Sequence, residues 1–419
     1  MSNLVLNKKW QKVLFIITAW IYIVFALINT TMLKHMTWYK QNKAVFNHHY
    51  YHVFQVICLL SFIRCFVEYI KEHDDQTILE NLFLFVFDHA ILALVFLLAI
   101  VNSQLMFQRG AENGGYYIIT MFYLFMAASF YDFEDLLPYL LGVSGLFLIV
   151  TVGLYYCKVI PDVLYPRGGG TYGHSLGYIW PLDFYAHFLI IVLMYMIWRS
   201  DKMKWFEALI IAFINTYFMF VTTAKAGAML VYLALVIWVL TKNEGFVNLI
   251  SKIYNYVNGL LMILPGVSVI AALFYKNSGL WVKLNGLLNH RLEMQNQAYH
   301  KYGLTFFGNH TRWVGFGSGI KGKGKTYNFV DNAYLKCMYD YGLFTMIFYV
   351  GCLLIAGRHF FKKNNLFGAL AIILLWLFGL SQHQIFTVAI NPLLLVASGF
   401  LMTPLSHFLK GNDIDEEAE

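Results

Sequence analysis

The apolar positions of this chain fall in long runs. They show neither the alternation of a half-buried strand nor the one-sided stripe of a soluble helix. A helix needs about 20 residues to cross the hydrocarbon core of a bilayer. Apolar runs near that length cover residues 13–30, 50–70, 78–101, 116–131, 139–157, 183–198, 205–221, 226–241, 258–275, 333–357, 366–382 and 389–409. The pattern predicts an all-α, polytopic transmembrane helix bundle of about 12 spans. Only TTAKA separates the runs at 205–221 and 226–241, a link short enough for both to be partly re-entrant. The pattern lapses at length over residues 276–332, which predicts one large loop. Within it, NHRLEMQNQAYHKYG keeps Leu292, Tyr299 and Tyr302 at helical spacing, predicting a short amphipathic helix on the membrane face.

Composition removes the soluble alternatives. The chain has 419 residues, 59% of them hydrophobic and 13% charged. A soluble chain carries about 25% charged residues. Residues 1–419 therefore read as one integral membrane domain. Lys8, Lys9 and Lys12 precede the first run, which is too long for a signal peptide and lacks a clear cleavage site, so an uncleaved first span is expected. The five cysteines fall in or at the ends of apolar runs without a Cys-x-x-Cys, which predicts buried small hydrophobes in place of disulfides or a zinc site.

Charge sets the orientation. With the N-terminus inside, the cytoplasmic segments carry Lys and Arg clusters, among them Lys8, Lys9, Lys12, Lys202, Lys204, Arg358, Lys362 and Lys363. The short outer loops carry Lys34, Lys40, Lys43, Arg109, Lys158, Arg167 and Lys225. The inner excess is about two to one, predicting both termini in the cytoplasm. The acidic tail 411–419 then lies inside, and 276–332 is extracytoplasmic.

That loop is strongly cationic. It holds Arg291, Arg312, Lys321, Lys323 and Lys325 among others, against Glu293 and Asp331. A positive loop above a bilayer suits an anionic partner: a lipid headgroup, a phosphorylated lipid carrier or an acidic glycan. Arg291 begins the amphipathic stretch, where a cation opposes the helix dipole, so phosphate binding by its guanidinium fork explains it better. The following GNHTRWVGFGSGIKGKGKTYNF interleaves glycine, cations and aromatics, a pattern of either a plain flexible loop or a phosphate cradle, with Trp313, Phe316 and Tyr327 able to stack on sugars or anchor at the interface. Asp331 and Asn332 then open the next apolar run. Asp331 at headgroup level can orient a catalytic arginine or act as a base, and Asn332 and Tyr334 can bind the same ligand. Lys225 in TTAKAGAML is a cation at a span end, either functional or snorkelling. PRGGGTYGHSLGYIWPLDFYAHF supplies Arg167 and His174, then Asp183 and His187 four apart on one helix face, a spacing that suits a structural hydrogen bond first and a proton-handling pair second. Gln382, His383 and Gln384 interrupt the apolar pattern together, as at the rim of a polar cavity.

With these residues in place, the chain resembles the bacterial O-antigen polymerase (Wzy-type) and O-antigen ligase superfamily, closest to the polymerases of capsular and exopolysaccharide clusters. The likeness covers most of residues 100–405. HSLGYIWPLDFYAHF is similar to the family's Leu-Gly-Phe segment, and TTAKAGAML to its Thr-x-Ser-Arg-x-Gly turn. NHRLE with YGLTFFG is similar to the arginine-bearing start of the outer loop. VDNAYLKCMYDYGLF is similar to the (Asp/His)-Asn-x-Tyr-Leu segment, and INPLLL to the closing Asn-Pro segment. Three departures stand out. Lys225 replaces the usual Arg, Asp331 stands where ligases have His, and no acidic residue accompanies Gln382–Gln384 in sequence.

The resemblance implies a membrane-embedded (GT-C-like) glycosyltransferase of the bacterial cytoplasmic membrane, inverting, independent of metal and without a cofactor. It would polymerise repeat units, transferring a glycan from undecaprenyl pyrophosphate to a lipid-linked repeat unit at the outer leaflet. Arg291, Lys225 and Arg312 would stabilise the departing diphosphate, while Asp331 or His310 would activate or orient the acceptor. Arg167, His174, Asn332 and Tyr334 join the expected substrate-binding set. Expected partners are the lipid-linked repeat units, the bilayer, a chain-length regulator and a flippase, with no nucleic acid. An O-antigen ligase-type transferase and a lipid-linked oligosaccharide flippase are the alternatives.

Overall fold

A computed structural model describes residues 7–73, 76–110, 112–166, 171–315 and 328–403. Arg167, Phe316, Lys321, Lys323, Lys325, Tyr327 and the tail 411–419 lie outside the described residues. The chain is mostly helical. In order it forms α1 (Lys8–Ile28), α2 (Thr37–Glu72), α3 (Ile78–Asp88), α4 (Ala90–Gln108), α5 (Glu112–Ala128), α6 (Phe133–Tyr156), α7 (Pro181–Arg199), α8 (Trp205–Thr222) and α9 (Lys225–Leu240). Then follow α10 (Glu244–Leu260), α11 (Ile263–Phe274), α12 (Gly279–Leu287), α13 (Arg291–Tyr302), α14 (Ala333–Tyr341), α15 (Leu343–Lys362) and α16 (Leu366–Gly379). A short hairpin pairs Leu164–Pro166 with Tyr172–His174.

Eight helical stretches among the described residues are long and apolar enough to cross a membrane. They include α1, α4, α6, α7, α8 and α15. Shorter apolar helices fall at Tyr117–Ala128, Lys225–Leu240, Leu366–Gly379 and Pro392–Met402. Most of these fall on runs read from the sequence, but Glu244–Phe274 begins well before the run at 258–275 and holds two helices, α10 and α11, and several other runs are not single helices. His89 breaks 78–101 into α3 and α4. The run at 389–409 holds a 3-10 stretch, Pro392–Met402. Gly342 breaks 333–357 between α14 and α15, at φ +92°.

The last break has a visible cause. A Cβ on Gly342 would stand 2.3 Å from the carbonyl oxygen of Phe306, because the loop backbone docks there. Leu343 and Phe344 donate backbone hydrogen bonds to Thr305 and Phe306, and Asn309 donates to Tyr339. Only glycine combines that φ with that approach. The broken span is thus the seat of the long loop.

The spans differ in how much lipid they face. The most buried is Pro181–Lys202, with 72% of its window inside the protein against 22% for Trp205–Thr222, so α7 is the hub. Between helices in lipid, close packing and hydrogen bonds replace the hydrophobic drive. Gly227 of α9 lies against Tyr185 of α7, where a Cβ would come within 2.7 Å of the tyrosine side chain. Tyr185 donates to the Asn215 carbonyl, and Asn215 donates to the Ala228 carbonyl. Asn102 of α4 donates to the Tyr341 carbonyl at 2.7 Å, and Tyr254 of α10 to that of Ala369.

Two expectations change. The five cysteines are free, but Cys157 is exposed, not buried. The loop helix α13 does not simply lie on the membrane face. Its buried stripe is Leu292, Gln295 and Ala298, and it packs against α11 and α14. Asn296 donates to the Ala272 carbonyl, and Tyr339 to that of Gln295. The alanine and polar side chains give α13 a slim face that fits between its neighbours, which the larger tyrosines obscure in sequence.

Candidate functional site

Five separated segments meet at one end of the bundle. They are the end of α1 (Asn29, Thr30), the entry to α7 (Ile179–Asp183), the start of α13 (Asn289, Arg291, Met294), the loop at Gly315, Phe329 and Asp331, and Gln382–Gln384. Together they line a cavity of about 680 Å³. These are the chain ends that the charge rule places together on the outer side. The alternation of spans is therefore consistent with their convergence.

Arg291 and Asp331 form the cavity's ion pair, with guanidinium Nη2 3.2 Å from Oδ2. Both side chains are half-buried. Arg291 is the first residue of α13, and His290 before it adopts the left-handed conformation, with φ +62°. Asp331 precedes α14. Burial raises its carboxyl above the ordinary value, while Arg291 and then Lys336 pull it back. The carboxylate of Asp331 is thus committed to the arginine.

Asn332 serves the fold. Its Oδ1 accepts from the Leu335 amide, capping α14, and its Nδ2 donates to Ser268 at 2.9 Å. Tyr334 is fully buried, stacks near Trp376 and donates to that residue's carbonyl at 2.7 Å. Both side chains sit in the bundle, not on the cavity, which corrects the expectation that they bind ligand. An Asn at an N-cap reads the same in sequence whether its amide caps or binds, and only tertiary packing separates the two.

Asp183 and His187 do not pair. His187 is buried and bonds the Tyr178 hydroxyl at 2.7 Å. Asp183 turns to the cavity, where its Oδ1 accepts from Gln384 Nε2 at 2.6 Å. Gln382 donates to the Leu182 carbonyl, fixing the same junction. The expected polar rim at Gln382–Gln384 is present.

The remaining expected residues lie apart from this lining. His310 and Arg312 are exposed and contact each other at 3.3 Å. His174 sits in the hairpin, 2.5 Å from Asp162. The adjacent Gly173 packs against the turn at Thr222 and Thr223 that leads into Lys225, close enough that a Cβ would meet the Thr222 oxygen at 2.4 Å. The fold therefore gathers His174 and the Lys225 turn into a neighbourhood of their own. Lys225 is exposed at the start of α9, and the small residues after it serve the packing of α9 on α7.

One cluster went unread in the sequence. Lys336 and Asp340, one turn apart on α14, form a half-buried pair at 2.8 Å. Asp340 also accepts from Trp313 Nε1 at 2.6 Å and from the Thr311 hydroxyl. Lys336 lies 4.5 Å from the Trp313 ring centre. Trp313 thus anchors the loop to α14, in place of the interfacial or sugar-stacking roles expected for it. The i, i+4 opposite charges in an apolar helix were the available signal. Beside this cluster is a smaller cavity of about 170 Å³, and His383 lines both cavities. Burial and the Lys336 charge hold the His383 imidazole well below its ordinary value.

No family model, no curated protein and no solved structure matches this chain.

Proposed function

We propose that the chain is a membrane glycosyltransferase that polymerises polysaccharide repeat units at the outer leaflet of a bacterial cytoplasmic membrane. The observation that carries the reading is the Arg291–Asp331 pair on the wall of a large cavity lined by both polar and apolar groups, at one end of an apolar helical bundle. The resemblance stated above supplies the reaction, and the cavity supplies a place for it.

The chemistry asks for little beyond placement and charge. An acceptor hydroxyl attacks the donor's anomeric carbon, and the lipid pyrophosphate departs with growing negative charge. A fixed guanidinium in a partly dry cavity stabilises that charge without reorganising. Asp331 fixes the guanidinium, so Arg291 arrives oriented. The polar lining, with Asn29, Thr30, Gln382 and Gln384, suits the hydroxyls of a glycan. In this reading both termini are cytoplasmic and the cavity opens outward.

Deletion of the gene in its host tests the reading, with surface glycan length and lipid-linked intermediates measured together. Loss of polymer with single repeat units on the carrier at the outer leaflet is the expected result. Polymer still made but stranded on its carrier would establish a ligase instead. Repeat units trapped at the cytoplasmic leaflet would establish a flippase.

A further inference from the structure

Two carboxylates line the main cavity, and their surroundings differ. Asp331 is committed to Arg291. Among the described residues Asp183 has no ion-pair partner, although the charges of Asp331 and Lys34 act on it, and its side chain's one hydrogen bond is the 2.6 Å contact from Gln384 to Oδ1. Its second oxygen, Oδ2, is bonded to nothing among them.

The position is rigid. Asp183 stands in the first turn of α7, the most buried span, and the residues after it, Phe184 and Tyr185, are fully buried. Gln384 fixes the carboxylate plane and is itself buried. A general base needs an available lone pair, a fixed direction and access to the reacting group. Asp183 meets all three, while Asp331 and Lys336 are engaged in ion pairs.

We propose that Asp183 is the catalytic base of this site, taking the acceptor's hydroxyl proton as the new glycosidic bond forms. The proposal rests on the glycosyltransferase reading. The acceptor oxygen forms its bond to the anomeric carbon, and its proton passes to Asp183 Oδ2. The bond between the anomeric carbon and the diphosphate oxygen breaks, and the electron pair leaves with the diphosphate beside Arg291. Asp183 then releases the proton to water entering the emptied cavity. The division of labour is strict: one carboxylate holds the cation and the other receives the proton.

The test uses the full-length protein, purified in detergent, with lipid-linked oligosaccharide extracted from the deletion strain. Turnover is measured as polymer formed, and binding is measured separately with undecaprenyl pyrophosphate. Asp183→Asn keeps an oxygen to accept from Gln384 and removes the base. It is expected to lose about a hundredfold or more in turnover while binding changes less than about threefold. The acid limb of the pH–rate profile should vanish with it. Asp183→Glu should recover part of the rate and restore that limb, which a purely structural role would not. Lys242→Ala, at the far end of the bundle, should keep most of the turnover.

Asp183→Asn turnover within about threefold of the parent would overturn the proposal, as would an equal loss of binding and turnover. The same holds if His383→Gln, and not Asp183→Asn, removes the acid limb. Should the unaltered protein form no polymer from this substrate, the glycosyltransferase reading fails first, and Asp183 loses its role with it.

Discussion

The two ends of the bundle use charge in opposite ways. At the end away from the cavity, ion pairs stitch neighbouring helices across the surface. Lys12 meets Asp135 at 2.7 Å, Glu134 meets both His359 and Lys363, Arg199 meets Glu207, and Lys242 meets Asp201 at 3.5 Å. Several of these groups are well exposed, up to 93% for Asp201. Water screens such pairs, and each contributes little. At the cavity end two pairs are more withdrawn. Lys336 and Asp340 are each 14% exposed, and Arg291 and Asp331 are 22% and 27% exposed. Charges held away from water are costly unless paired, and they act strongly on whatever enters beside them. The stitched end gains modest cohesion from its charges. The cavity end keeps two of its pairs where they act strongly on whatever enters beside them.

The comparison breaks most sharply at Arg291. Arg291→Ala should abolish polymer, with turnover down by about a thousandfold, while the protein still inserts in the membrane. Arg291→Lys should recover only part of the loss, because the ammonium keeps the charge without the fork that matches both Asp331 and a phosphate. Polymer length on a gel of envelope glycans, read beside membrane-fraction abundance, decides it. Normal polymer in the alanine strain would remove Arg291 from the mechanism.

A second break concerns the frame of the cavity. Gly308 has φ +75°, and a Cβ there would stand 2.3 Å from the Asp340 carbonyl oxygen. Arg109 donates to the Gly308 carbonyl, holding the loop from the other side. Two backbones cannot yield as a side chain can. Gly308→Ala should cost about 3 kcal/mol and lower the thermal unfolding midpoint in detergent. An unchanged midpoint would mean that the loop is not seated on α14 at this glycine.

The smallest effect belongs to the stitched end. Lys242→Ala should alter stability by no more than about 0.5 kcal/mol and leave polymer length unchanged. A large loss of activity there would erase the contrast between the two ends.

Much of this was legible in sequence. Long apolar runs announced the helices, since a helix is the structure that satisfies its own backbone in lipid. Arg291 and Asp331 were both marked, and the polar interruption at Gln382–Gln384 was read as a cavity rim. Other details were hidden. Asn332 and Tyr334 share a segment with Asp331, yet they serve the fold while Asp331 faces the cavity. Asp183 appeared as a partner for His187, because the two lie on one helix face. No carboxylate stands near Gln384 in the chain, and the fold supplies Asp183 from about two hundred positions away.

The sequence by itself determined that this chain is a bundle of apolar helices with a cationic polar segment, because hydropathy and charge are sums over local residues. It also carried Gly308 and Gly342, though not the reason for them. Tertiary structure alone decided which polar groups pair. Arg291 and Asp331 are separated by a loop of some forty residues, and nothing local fixes the distance between their side chains. That distance is set by the docking of α13 between α11 and α14 and by the loop seated on the break at Gly342. Pairing depends on contacts a few ångströms long between segments far apart in the chain. The same physics leaves Asp183 without an ion pair among the described residues and gives Asp331 one.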